Sequence, residues 1–76
     1  MNKHEQMIEY MVQDLIEMIC ESQNIEYDLA MNKLYNSELF EKIQDPLTGL
    51  YKESPAYVYN LLEDEFKFGR IVQLEI

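Results

Sequence analysis

The chain has 76 residues, 47% of them hydrophobic, and sets 15 acidic side chains against six basic ones for a formal net charge of −9. A chain this short supports one domain, residues 1–76, with a single core, and that apolar share excludes disorder by composition. The acidity argues against phosphate-backbone recognition, which rests on Lys and Arg releasing counterions, and against docking on anionic lipid, so neither nucleic acid nor membrane is expected as a partner.

The first residues, Met1-Asn2-Lys3-His4-Glu5, lead into a segment punctuated by Glu9, Asp14 and Glu17, so no apolar run of signal-peptide type is expected, and no segment is apolar enough to span a membrane. Cys20 is the only cysteine, which precludes an intramolecular disulfide and makes a bacterial or other reducing cytosol the expected setting.

From Lys3 to Asn24 the residues Met7, Ile8, Met11, Val12, Leu15, Met18 and Ile19 recur at three and four positions with no Pro or Gly between them. This spacing predicts a helix. With Ile16 its apolar arc covers roughly 180°, wider than the ~100° stripe that one neighbour needs. Glu9, Gln13, Asp14, Glu17 and Glu21 fill the other half. Such a helix is expected between two neighbours: two helices of its own chain, or one helix and a second protomer.

A short second helix is predicted from about Glu26 to Tyr35, with Tyr27, Ala30, Met31 and Leu34 on one face. Ser37 then offers a fresh N-cap, Glu38 suits the helix dipole, and Leu39, Phe40 and Ile43 supply the apolar side of a third helix. That helix must stop before Pro46, because the residue preceding proline is pushed out of the α region. Asp45-Pro46-Leu47-Thr48-Gly49 reads as a turn: Asp45 can bond the following backbone, Pro46 presets φ, and Gly49 tolerates positive φ.

Ser54-Pro55 is a hydroxyl cap followed by proline at the first helical position, where its missing N–H costs nothing. The fourth helix runs to about Phe68, with Gly69 placed to end it in the left-handed conformation. Val58, Leu62 and Phe66 form one stripe, expected in the core, and Tyr57, Leu61 and Phe68 a second. Residues 70–76 alternate Val72, Leu74 and Ile76 with Gln73 and Glu75, which fits a short C-terminal strand. The expected fold is all-α, a small three- to four-helix domain with that strand appended.

Few residues suit catalysis. His4, the only histidine, falls at what reads as a frayed end, and Cys20 has no nearby cation in sequence to lower its pKa, so packing is its expected role. Glu5 with Glu9 and Glu17 with Glu21 are like-charged pairs on the solvent arc, and no Glu-x-x-His spacing of a di-iron bundle occurs. Phosphate loops, nucleophile elbows and Cys-x-x-Cys pairs do not occur either. A non-enzyme without metal or cofactor is the expectation.

Six tyrosines and three phenylalanines are the stronger signal. Tyr51, Tyr57 and Tyr59 bracket the Ser54-Pro55 cap; they either close core edges or form a partner-binding surface, since the ring buries area while the hydroxyl keeps a hydrogen bond. Glu63-Asp64-Glu65 is either a solvated face or a docking point for a basic partner.

The stretch Leu34-Tyr35-Asn36-Ser37, Leu39-Phe40, Ile43, Asp45-Pro46, Thr48-Gly49-Leu50-Tyr51 and Ser54-Pro55-Ala56-Tyr57-Val58-Tyr59 resembles a small bacterial family of the domain-of-unknown-function kind. The shared run reads Tyr-x-Ser followed by an aromatic, an Asp-Pro-x-Thr-Gly-Leu-Tyr turn and a Ser-x-x-Tyr helix start. It covers roughly half the chain, and the turn is its most specific part. The resemblance implies a partner of a neighbouring toxin-like gene product, similar to an antitoxin or accessory inhibitor; it carries over no functional residue.

Two functions follow as expectations. One is a non-catalytic protein–protein interaction module. The other is a small dimeric ligand-binding or regulatory module with a pocket lined by Tyr27, Tyr51, Tyr57 and Phe66. Either is compatible with a homodimer built on the first helix, the fourth helix or the C-terminal strand.

Overall fold

The computed structural model describes residues 2–69, which form four α-helices: α1 (Lys3–Gln23), α2 (Tyr27–Tyr35), α3 (Glu38–Gln44) and α4 (Pro55–Phe68), with two 3₁₀ turns, Pro46–Thr48 and Leu50–Lys52, between α3 and α4. Among the described residues there is no strand, so the fold is all-α. The C-terminal strand expected at 70–76 lies outside the described residues.

Local chemistry sets most of the boundaries. Asn2 Oδ1 accepts from the Glu5 N–H at 2.8 Å and opens α1. Asn24, in the left-handed region at φ 53°, ends it, one residue earlier than the spacing predicts. Glu26 precedes α2 as an extended residue without a side-chain cap, so that helix begins at Tyr27. Ser37 Oγ accepts from the Phe40 N–H at 3.1 Å and Ser54 Oγ from the Tyr57 N–H at 3.2 Å, the two caps expected from sequence. Gly69, at φ 77°, donates its N–H to the Glu65 carbonyl at 2.7 Å and closes α4.

The Asp45–Gly49 turn is the first of the two 3₁₀ turns. Asp45 Oδ1 accepts from the Leu47 N–H at 3.0 Å, and the Thr48 hydroxyl ties the segment to α3 by donating toward the Lys42 carbonyl at 2.6 Å and the Asp45 carbonyl at 2.9 Å. Gly49 at φ 68° turns the chain directly into the second 3₁₀ turn. Leu50 drops from it into the core.

The core is one cluster. Met11, Val12, Leu15, Ile16 and Ile19 of α1 meet Ala30 and Leu34 of α2, Leu39 and Ile43 of α3, Leu50, and Val58, Tyr59, Leu61 and Leu62 of α4. Each fully buried Leu or Ile contributes roughly 1.5–3 kcal/mol of transfer free energy. The wide arc of α1 is covered by α2 on one side and by α4 and the Leu50–Lys52 turn on the other. Both neighbours of α1 therefore come from its own chain, and a second protomer is not needed to account for that arc.

Candidate interaction surface

The three tyrosines grouped in the sequence around Ser54-Pro55 go to three different environments. Tyr57 is 41% exposed on α4, whereas Tyr59 is only 8% exposed and joins the core. Two residues along a helix turn about 200°, so side chains at 57 and 59 cannot share a face. Of the two roles the sequence left open, Tyr59 takes the core one and does not share an exposed surface with Tyr57. Its hydroxyl is buried without a hydrogen-bond partner.

Tyr51 sits on the second 3₁₀ turn, half-buried. Its ring meets the His4 imidazole edge to face, centroids 4.3 Å apart and planes at 86°, and the Lys52 ammonium lies 5.5 Å from the Tyr51 centroid. His4 is thus packed on α1 against a turn 47 positions away rather than lying at a frayed end. Its Nε2 is buried with no hydrogen-bond partner.

The acidic run is not a uniform solvated face. Three consecutive helical residues fan over about 200°, and all three are partly buried. Glu65 turns inward and accepts from the backbone N–H groups of Glu38 at 2.7 Å and Leu39 at 3.0 Å, so its carboxylate caps α3 rather than facing a partner. Glu63 lines a cavity of about 230 Å³ with Ser22, Gln23, Tyr59, Phe66 and Lys67. Asp64 lies between these two on the α4 surface.

Phe66 is also displaced from its expected place in the core. Val58 and Leu62 of the same stripe are fully buried, but Phe66 is 37% exposed and carries the Lys33 ammonium 5.8 Å from its ring centroid. The reason is where α1 stops. The early part of α1 (Met7 to Asp14) lines a cavity with Pro55, and its end (Ser22, Gln23) lines one with Phe66, so α1 and α4 run in the same direction and the cover gives out at Gln23. Of Tyr27, Tyr51, Tyr57 and Phe66, expected to line one pocket, no more than one enters any of three described cavities: these two and one lined by Lys3, His4, Met7, Tyr51 and Lys52.

The apolar surface that the structure does assemble lies on α2. Tyr27, Met31 and Tyr35 follow one another at four-residue spacing along one flank, and the Tyr35 ring packs on Phe40 of α3 with centroids 4.8 Å apart. Tyr27 and Tyr35 are 48% and 47% exposed, while Met31 and Phe40 are partly buried against the core. Ala30 and Leu34, grouped with Tyr27 and Met31 in the sequence reading, are sunk completely. The sequence signal for this flank was the i, i+4, i+8 series itself, a second line of apolar residues beside the core pair.

Asp28 lies beside this flank on the outer side of α2, and Glu41 follows Phe40; both are exposed. Glu5, Glu9, Asp14, Glu17 and Glu21 are exposed along α1. The described ion pair, Lys42 with Glu38 at 3.9 Å, offsets little of this charge. Among the described residues no group of three or more His, Cys, Asp or Glu converges as metal ligands would, and Cys20 packs against the core. No helix among them is long and apolar enough to cross a membrane. No family model, curated protein or solved structure matches the chain.

Proposed function

We propose that this chain is a non-catalytic protein–protein interaction module that binds a basic partner through the flank formed by Tyr27, Met31, Tyr35 and Phe40. The observation carrying this reading is the pair of half-exposed tyrosines held in register on α2, with Phe40 continuing the same apolar surface onto α3. Tyrosines of this kind are what interface cores select, because each presents a large rigid ring at low entropic cost.

Charge favours a different protein over a second copy. Two copies at −9 each would bring like fields together, whereas a cationic partner would be steered toward the acids around the flank. The expectation of self-association drew on the α1 arc and on both stripes of α4; α2 and α4 cover the arc, while Tyr57, Phe66 and Phe68 of the α4 stripes stay exposed. A cytoplasmic accessory or neutralising role toward a neighbouring gene product, the role that the family resemblance implies, is consistent with a small acidic module of this shape.

The test is co-purification from a bacterial lysate with the tagged chain, followed by native mass spectrometry, run beside a Tyr27→Ala/Tyr35→Ala variant. A stoichiometric partner of basic isoelectric point, lost with the folded double variant and released by salt, is the expected result. Recovery of the same partner by the variant would remove the α2 flank from the reading, and no stoichiometric partner at all would end it.

A further inference from the structure

The relief of the α2 flank and the backbone beneath it select the kind of segment that can lie on it. Tyr27, Met31 and Tyr35 form one row, about 12 Å long at ~1.5 Å of rise per residue. The two tyrosines stand half-exposed, whereas Met31 between them lies lower, packed against the core. The row is therefore two ridges with a notch, and the notch is floored by an unbranched thioether side chain that adapts to what enters it. At one end the Tyr35 ring leans on Phe40 with planes at 38°, so the contour turns onto α3.

The flank recognises side chains and not backbone. It is built from α2 and the start of α3, and among the described residues there is no strand, hence no sheet edge to which an extended segment could add. An extended segment laid over Tyr27 and Tyr35 would bury its own N–H and C=O groups without partners, which is costly. A helix arrives with those groups already bonded to one another. Its own rows of side chains, about 5–6 Å apart at three- and four-residue spacing, interdigitate with a four-residue row such as this one.

Charge sets the rest of the chemistry. Asp28, seven residues before Tyr35 and so on nearly the same side of α2, is exposed, as are Glu26 beside Tyr27 and Glu41 beside Phe40. The two lysines of α2 and α3 do not offset them. Lys33 is about 200° round the helix from Met31, where its ammonium meets Gln23 and the Phe66 ring, and Lys42 lies 3.9 Å from Glu38.

We infer that the flank takes a basic amphipathic helix, with an aliphatic side chain seated over Met31 between the two tyrosines and Lys or Arg on its borders facing Asp28 and Glu41. The inference rests on the reading of this flank as the partner surface and adds the form of the segment that occupies it.

A synthetic peptide of Leu and Lys at helical spacing, roughly 14 residues long as an ordinary helix is, is the probe. Titrated into the ¹⁵N-labelled full-length chain and followed by NMR, it should give saturable shifts centred on α2 and Phe40, with helical carbon shifts in the bound peptide. The same peptide with two central residues as D-enantiomers keeps composition and charge but loses the helix, and should bind at least tenfold more weakly. So should a peptide with Glu in place of every Lys. Tyr27→Ala/Tyr35→Ala should weaken the helical peptide at least tenfold while its melting temperature stays within a few degrees of wild type, since both rings are half-exposed. Tyr57→Ala/Phe68→Ala, which removes exposed rings from α4, should leave binding unchanged. Equal binding of the D-containing peptide, with shifts still at the flank, would overturn the helix and leave the flank as a partner surface. Undiminished binding by the Tyr27/Tyr35 variant would remove both the helix and the reading it rests on. No saturable shift would overturn the inference, and so would a dimer mass in light scattering that the peptide leaves intact, which would assign the flank to a second copy.

Discussion

The carboxylate of Glu65 reaches from α4 to the first turn of α3, where Oε1 accepts from the Leu39 N–H at 3.0 Å while Oε2 accepts from the neighbouring Glu38 N–H at 2.7 Å. With Ser37 Oγ taking the Phe40 N–H, three successive amides that a helix start leaves open are satisfied, two of them by a residue 26 and 27 positions away. A seven-residue helix is too short to stand alone. Its position is set by α4, through the Leu39 and Ile43 side chains in the core and through this carboxylate.

Glu65→Ala should therefore destabilise the domain by about 1–2 kcal/mol, the usual worth of a helix cap. Glu65→Gln keeps one amide oxygen and should lose about half as much. Urea denaturation at neutral pH measures both. A loss under about 0.3 kcal/mol for the alanine variant would mean that water serves these amides equally well.

What could be read from the sequence was what is encoded within a few residues. Ser37, Ser54-Pro55, Asp45-Pro46 and Gly69 act on backbone groups one to four positions away, and the structure places each as its local chemistry requires. The Glu65 cap and the His4–Tyr51 contact join positions 26 to 47 apart, which no local pattern reports. The division between Tyr57 and Tyr59 is different: the helical period of α4 separates them although they lie two residues apart. Phe66 belongs to a third kind, since its exposure depends on where α1 ends in space.

That exposure changes the expected effect of a charge at Phe66. Phe66→Glu should leave the chain folded, with a loss of about 1–2 kcal/mol for the buried part of the ring, because the new carboxylate reaches solvent and has Lys33 nearby. Leu62→Glu, one turn earlier and fully buried, should abolish the cooperative transition, since an unpaired buried charge costs several kcal/mol in a domain of marginal stability. Far-UV circular dichroism with thermal melting separates the two. Equal damage from both would contradict the position of Phe66 at the edge of the core.

The Tyr59 hydroxyl offers a substitution expected to help. Its oxygen is buried without a partner, so Tyr59→Phe removes a desolvated polar atom and keeps the ring in the core. Stability should be unchanged or rise by up to about 1 kcal/mol. A loss of more than 1 kcal/mol on urea denaturation would show that the hydroxyl is bonded in solution.

Gly49 joins the two 3₁₀ turns at φ 68°, with open space where a Cβ would go. Gly49→Ala therefore meets no clash with neighbouring residues, and its cost comes from the left-handed backbone alone, about 1 kcal/mol. For a domain of this size that corresponds to a melting temperature lower by roughly 4–8 °C. Gly49→Asn, which visits this region more readily, should lose less. Were the two substitutions equally harmful, the backbone angle would not be the cause.

The last prediction concerns self-association, for which charge and apolar surface pull in opposite directions. The α2 flank is apolar enough to attract a second copy, but each copy adds −9 at separations where low salt leaves the repulsion unscreened. At 0.5 M salt the screening length shrinks to roughly 4–5 Å, and only the apolar term is left to act at the flank. Light scattering at tens of micromolar should return the monomer mass of 9.1 kDa at both low and high salt. Twice that mass appearing only at high salt, and vanishing in Tyr27→Ala/Tyr35→Ala, would assign the flank to a second copy of this chain and not to a basic partner. Twice that mass at low salt as well would require an interface strong enough to overcome the full repulsion, which four partly exposed side chains cannot supply.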